Sequence, residues 1–198
     1  MAIRNPADVR NICLAGAGGS GKTTLTERLL FNAGVIKRCG TVEEGNTVSD
    51  WTDEEKKHKH SLQPSFVHFE FDKHEVHLID TPGLADFMGQ AVACMPACET
   101  VAVVIDAAKG VQSTTRRLMQ IAGERKIPRM IVVNKIDDAT TNLRALLEAI
   151  RAEFGNECLP ITLPAPGRQK VINVFEHNGY DAEGDDAEVM SVHEAHKR

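Results

Sequence analysis

The chain has 198 residues, 42% of them hydrophobic and 26% charged, with a formal net charge of −5. That length supports one domain with a buried core. The acidic balance excludes a global electrostatic pull toward nucleic acid, and no apolar run reaches the roughly 18 residues of a membrane-spanning helix. The opening "MAIRNPADVRN" lacks the apolar stretch of a signal peptide. Five scattered cysteines, Cys13, Cys39, Cys94, Cys98 and Cys158, read as reduced thiols of a cytoplasmic protein. Cys94 and Cys98 have helix spacing, but without a second pair or a nearby histidine they predict no zinc site.

In chain order, "NICLA" (11–15) is a short apolar run of the kind that forms a strand buried on both faces of a parallel sheet. A helical pattern covers 22–33. Residues 34–62 are polar, glycine-bearing and charged, and a connection of that length in a compact domain is functional or mobile. "SFVHFEF" (65–71) alternates as a half-exposed strand, "DKH" predicts a turn, and "EVHLID" (75–80) a second buried strand. Helical patterns follow at 88–98, 113–124 and 142–154, interleaved with the strands "TVAVVID" (100–106) and "RMIVVNKID" (129–137). In the last helix Leu143, Leu146, Leu147, Ile150 and Phe154 make one apolar stripe. Residues 176–198 are acidic and then histidine-rich, as in a surface or disordered tail. The alternation of strand and helix predicts an α/β domain with right-handed crossovers.

Three motifs stand at the carboxyl ends of predicted strands, where such sheets bind ligands. Gly16, Ala17, Gly18, Gly19, Ser20, Gly21, Lys22 and Thr23 fit G-x-x-x-x-G-K-[ST] between a strand and a helix, the context of a P-loop. Glycines let the backbone curl its N–H groups onto anionic oxygens, and the helix adds its positive end. Lys22 supplies a point charge for the terminal phosphates, Thr23 a hydroxyl for Mg²⁺, and Thr24 continues the loop into the helix. "DTPG" places Asp80 to orient Mg²⁺, directly or through water. Thr81, Pro82, Gly83 and Leu84 follow, with the Gly83 N–H free to approach a γ-phosphate. "NKID" selects the base. Asp137 is an acceptor-only group suited to the two donors on one guanine edge, Asn134 suits N7, and the Lys135 stem can lie along the base plane. Against adenine, Asp137 would be left unpaired. Together the motifs imply binding of GTP and GDP with Mg²⁺ on a three-layer P-loop NTPase fold, a mostly parallel sheet with helices on both faces. An ATP-binding protein is the less favoured reading.

"GKTTLTERLLF", "EEGNTVSDWTDEE", "DTPGLADF", "VVIDAAKGVQ" and "IPRMIVVNKID" resemble translational GTPases, above all the N-terminal part of elongation factor G, from residue 11 to about 175. "LPITLPAPGRQKVINVF" (159–175) resembles the start of the insertion that elongation factor G carries after its N-K-x-D segment. The resemblance implies a GTP-binding domain over 1–157, with switch I near 34–64 and switch II near 80–95. Residues 158–198 would begin the insertion, and the fold would be incomplete at its C-terminal end. It implies a cytoplasmic GTPase in which Lys22 and Gly83 serve catalysis. Thr23, Ser61 and Asp80 would hold the metal. The ribosome is the implied partner, engaged through a longer parent, with no membrane and no sequence-specific nucleic-acid binding.

The chain also departs from that family. Gly19 stands where the family's P-loop has an Asp thought to help hold a monovalent cation. "HKHS" replaces Arg-Gly-Ile-Thr, so that Ser61 takes the Thr position. Leu84 stands where a His positions the attacking water, and leucine cannot hydrogen-bond water. A Ser-Ala-Lys or Ser-Ala-Leu segment that reads guanine O6 does not occur between 138 and 198. His58 and His60 are candidate substitutes for the absent His. The alternative to a GTPase is therefore a GTP-binding switch module with little or no intrinsic hydrolysis.

Overall fold

The computed structural model describes residues 5–138, 140–165 and 171–174, and divides into two compact units, Met1–Asn134 and Lys135–Arg198. In the first unit five strands form one sheet in the order β2-β3-β1-β4-β5. These are β1 (Val9–Ala15), β2 (Ser65–Phe71), β3 (His74–Asp80), β4 (Thr100–Asp106) and β5 (Arg129–Asn134). β1 lies parallel to both β3 and β4, β5 lies parallel to β4, and β2 is antiparallel to β3. The β2–β3 hairpin closes through Asp72 and Lys73, both at positive φ, as a tight primed turn requires. This is the mostly parallel α/β sheet implied by the alternating apolar runs.

Side chains alternate across the sheet. Leu14, Ala102, Val104, Val76 and Leu78 face one side. There they pack with Leu30 of helix α1 (Lys22–Asn32) and with Phe69 of β2, and Leu25 and Leu29 lie against the same cluster. Cys13, Val101, Val103 and Ile105 face the other side and are likewise buried. Helices α3 (Met88–Cys94) and α4 (Ser113–Glu124) contact the sheet through β1 and through β4 and β5 respectively. β4, next to the P-loop strand, is thus covered on both faces, and its five apolar residues Val101–Ile105 are at most 2% exposed.

Two elements differ from the sequence reading. The helix at 88–98 ends at Cys94 and tightens into a 3-10 turn at Met95–Ala97, because Pro96 has no N–H for a continuing α-helix. The polar connection 34–62 contains a short helix, α2 (Asp53–His58). Thr52 and Glu55 form a reciprocal capping box at its start.

In the second unit α5 (Leu143–Phe154) starts at Asn142, whose side chain caps the Ala145 N–H, and ends at Gly155 with φ 106°. Leu146 and Ile150 of its apolar stripe are buried. β6 (Thr162–Pro164) pairs antiparallel with β7 (Val171–Asn173). The tail 176–198 lies outside the described residues. No helix among the described residues is long and apolar enough to cross a membrane.

Candidate functional site

The carboxyl ends of β1, β3, β4 and β5 carry the site. The loop Gly16–Gly21 leaves β1 and enters α1 through Gly21, whose φ of 93° is a left-handed helix cap with no side-chain hydrogen bond. Ala17 and Ser20 close a turn inside the loop, the Ser20 N–H donating to the Ala17 carbonyl at 3.3 Å. A Cβ at Gly16 would collide with the Val104 backbone, so the loop can cross β4 only with glycine there. The Ser20 hydroxyl is buried without a hydrogen-bond partner among the described residues. Gly19 and Thr24 are exposed.

The Lys22 ammonium folds back into this loop and donates to the Gly16 and Ala17 carbonyls, both at 3.0 Å. It is buried, and burial lowers its pKa to about 8 against the upward pull of Asp80. Gly83 of the β3 loop packs against the same ammonium and the Ala17 carbonyl, leaving no room for a side chain. Thr81 ties that loop to β1, its hydroxyl donating to the Leu14 carbonyl at 2.6 Å, and Pro82 is buried beside it. Leu84 is 38% exposed and reaches over the P-loop, its Cδ2 lying 3.1 Å from where a Gly18 Cβ would stand.

A chain of oxygens runs from the P-loop helix into the 34–64 segment. The Thr23 hydroxyl donates to Asp80 Oδ2 at 2.8 Å and lies 3.2 Å from the Ser61 hydroxyl. Ser61 in turn donates to Asp50 Oδ1 at 2.6 Å. Burial raises the Asp80 pKa to about 6, opposed by the Thr23 hydrogen bond and the Lys22 charge. Burial likewise pushes Asp50 up, opposed by Ser61. Asp80 Oδ1 and Asp50 Oδ2 are buried with no hydrogen-bond partner among the described residues. Two hydroxyls and two carboxylates, each carboxylate with one orphaned oxygen, form an oxygen-only donor set, the chemistry that fits a hard divalent cation such as Mg²⁺.

Asp50 lies within "EEGNTVSDWTDEE", a stretch that carries the resemblance but gave this residue no role of its own. Glu27 was missed as well. This α1 carboxylate, 0% exposed, accepts the Gly40 N–H at 2.9 Å and the Val48 N–H at 2.5 Å, and so ties the 34–64 segment to the P-loop helix. Glu55 does similar work within the segment, accepting from the Leu62 and Gln63 N–H groups. Burial pushes its pKa up, but these bonds and those from Thr52 hold it below the usual range. His60 is turned onto the His58 carbonyl, with 2.8 Å between its Nδ1 and that oxygen.

The N-K-x-D segment begins beside the P-loop. Asn134, the last residue of β5, donates from its side-chain amide to the Ser20 carbonyl at 2.9 Å, and its own carbonyl accepts the Ala107 N–H. Lys135 and Asp137, exposed residues of the second unit, follow directly, with Lys135 at φ 59°.

A glycine loop between a parallel strand and a helix, with its lysine inside the loop and a carboxylate from the next strand on its threonine, defines a P-loop nucleotide-binding domain. The chain belongs to the family of the elongation factor Tu GTP-binding domain, whose model matches residues 7–195. It is 40% identical over 160 residues to an elongation factor G-like protein of Mycobacterium tuberculosis, covering 81% of this chain and 22% of that protein. It is 32% identical over 207 residues to the mitochondrial ribosome-releasing factor 2 of Mus musculus, covering 100% of this chain and 27% of the relative. A crystal structure of a protein from Thermus thermophilus superposes with a TM-score of 0.83 at 39% identity, covering 89% of this chain and 27% of that one. The chain thus spans about a quarter of the length of these relatives.

Proposed function

We propose that this chain is the GTP-binding and GTP-hydrolysing part of an elongation factor G-like translation factor that acts on the ribosome in translocation or recycling. The contact between the Asn134 amide and the Ser20 carbonyl carries the reading, because it brings the first residue of the N-K-x-D segment against the glycine-rich loop, as a shared nucleotide would require. The P-loop N–H groups and Lys22 would bind the phosphates, and Asn134, Lys135 and Asp137 the guanine. Thr23, Ser61 and Asp80 would hold Mg²⁺, with Asp50 behind Ser61; the ion supplies charge neutralisation on the phosphates. Lys22 exchanges its two carbonyl contacts for phosphate oxygens, and the anion restores the ammonium pKa that burial has lowered. Gly83, already against Lys22, brings its N–H toward the γ-phosphate. The proposed compartment is the cytoplasm, in keeping with five free thiols.

One observation favours a second reading. Leu84 covers the P-loop with an apolar side chain where a water-positioning group would act, and such a group is worth orders of magnitude in phosphoryl transfer. A GTP-binding switch with slow hydrolysis is the alternative. Fluorescent guanine nucleotide titrated against this chain, with ATP and GTP as competitors, tests the base: equal competition sinks it. Single-turnover hydrolysis by the full-length parent, with and without ribosomes, separates the two readings. Ribosome-stimulated turnover supports the GTPase, and no stimulation supports the switch.

A further inference from the structure

Four parallel strands end at the site, and the motifs account for the loops after three of them. The fourth loop follows β4, the strand directly beneath the P-loop, and no role has been assigned to it. Asp106, 4% exposed, builds this loop: its carbonyl accepts the N–H groups of Lys109 (3.1 Å) and Gly110 (2.9 Å), and its carboxylate accepts that of Ala108 (3.0 Å). The turn delivers the Lys109 ammonium to the P-loop, 3.4 Å from where a Cβ on Gly19 would stand. Gly19 has φ 74°, so a side chain there would be strained as well as crowded toward that ammonium. Lys109 is exposed, and its ammonium has no hydrogen-bond or ion-pair partner among the described residues. Lys22 meanwhile approaches the loop from its other limb, at Gly16 and Ala17.

We propose that Lys109 is a second phosphate-contacting ammonium, reaching the nucleotide's phosphate chain past Gly19, where no side chain blocks the way. The inference rests on the guanine-nucleotide reading above and adds a binding residue to that site. A cation held at the loop by a hydrogen-bonded turn, with no carboxylate paired to it among the described residues, is matched by the polyanion that the loop is built to receive. An acidic residue at position 19 would instead pair with Lys109 and withdraw its charge from the ligand. Glycine therefore keeps the ammonium available.

The test uses the whole chain, fluorescent GTP and GDP analogues, and a KCl series, with circular dichroism melting to verify the fold of each variant. Lys109→Gln keeps most of the stem and removes the charge. It should weaken binding of both nucleotides by about tenfold at low salt, the size of one charge-assisted contact. The gap to wild type should narrow as KCl rises, since an exposed charge is screened. Lys109→Arg should bind within about threefold of wild type. Binding by Lys109→Gln equal to wild type overturns the proposal, as does Lys109→Arg binding as weakly as Lys109→Gln, which would make the effect one of shape. A wild-type chain that binds no guanine nucleotide overturns the functional reading, and the proposal with it.

Discussion

Removing the Glu27 carboxylate should release the 34–64 segment from the P-loop helix while leaving the sheet intact. The side chain is fully buried and accepts two backbone N–H groups, Gly40 at 2.9 Å and Val48 at 2.5 Å. Hydrogen bonds to a charged group contribute about 1.5–3 kcal/mol each, so the pair is worth on the order of 3–6 kcal/mol. The desolvation of the carboxylate, relieved on its removal, offsets part of that. The net loss in Glu27→Ala should be about 3 kcal/mol, falling on local opening of the segment rather than on global unfolding. Glu27→Gln keeps one acceptor oxygen but turns an NH₂ toward the other donor, and should lose about half as much. Hydrogen exchange read by mass spectrometry over 39–50 would show the Ala variant exchanging roughly 100-fold faster, with peptides from β1 and β4 unchanged. Unaltered protection at Gly40 and Val48 would refute the reasoning, and a uniform increase across the sheet would show that Glu27 supports the core instead.

Three further outcomes are expected. The stability of the nucleotide-free chain should fall as pH rises from about 4 to about 6. Asp80 has its folded pKa raised to about 6 by burial, so the folded state holds a proton there that the unfolded state has already lost. Stability should rise again between about 8 and 10.5, because Lys22, lowered to about 8, gives up its proton in the folded state before the unfolded one does; urea midpoints flat across both windows would contradict these assignments. Asp137→Asn should shift preference from guanine toward xanthine nucleotides, since the carbonyl at xanthine C2 requires a donor, and competition titration with the two nucleotides measures the shift. Leu84→His should raise single-turnover GTP hydrolysis by the ribosome-bound parent at least about tenfold, and an unchanged rate would show that the leucine is not what limits water positioning.

The sequence alone specified the elements whose chemistry is local. The P-loop, "DTPG" and "NKID" each place their functional groups within a few residues of one another. The strands announce themselves as apolar runs because burial on both faces leaves no other composition for them. The short helix α2 was also written locally, in Thr52 and Glu55, and went unread inside a polar stretch. Tertiary structure alone decided which distant side chains meet. Asp50 reaches Thr23 through Ser61, Glu27 holds Gly40 and Val48, Lys109 stands over Gly19, and the Cys13 thiol lies beside that of Cys98. None of these pairs has a spacing that a helix or strand period could encode. Each exists because packing the strands in the order β2-β3-β1-β4-β5 brings segments from far apart in the chain together around one sheet, where a buried carboxylate must find its donors across space.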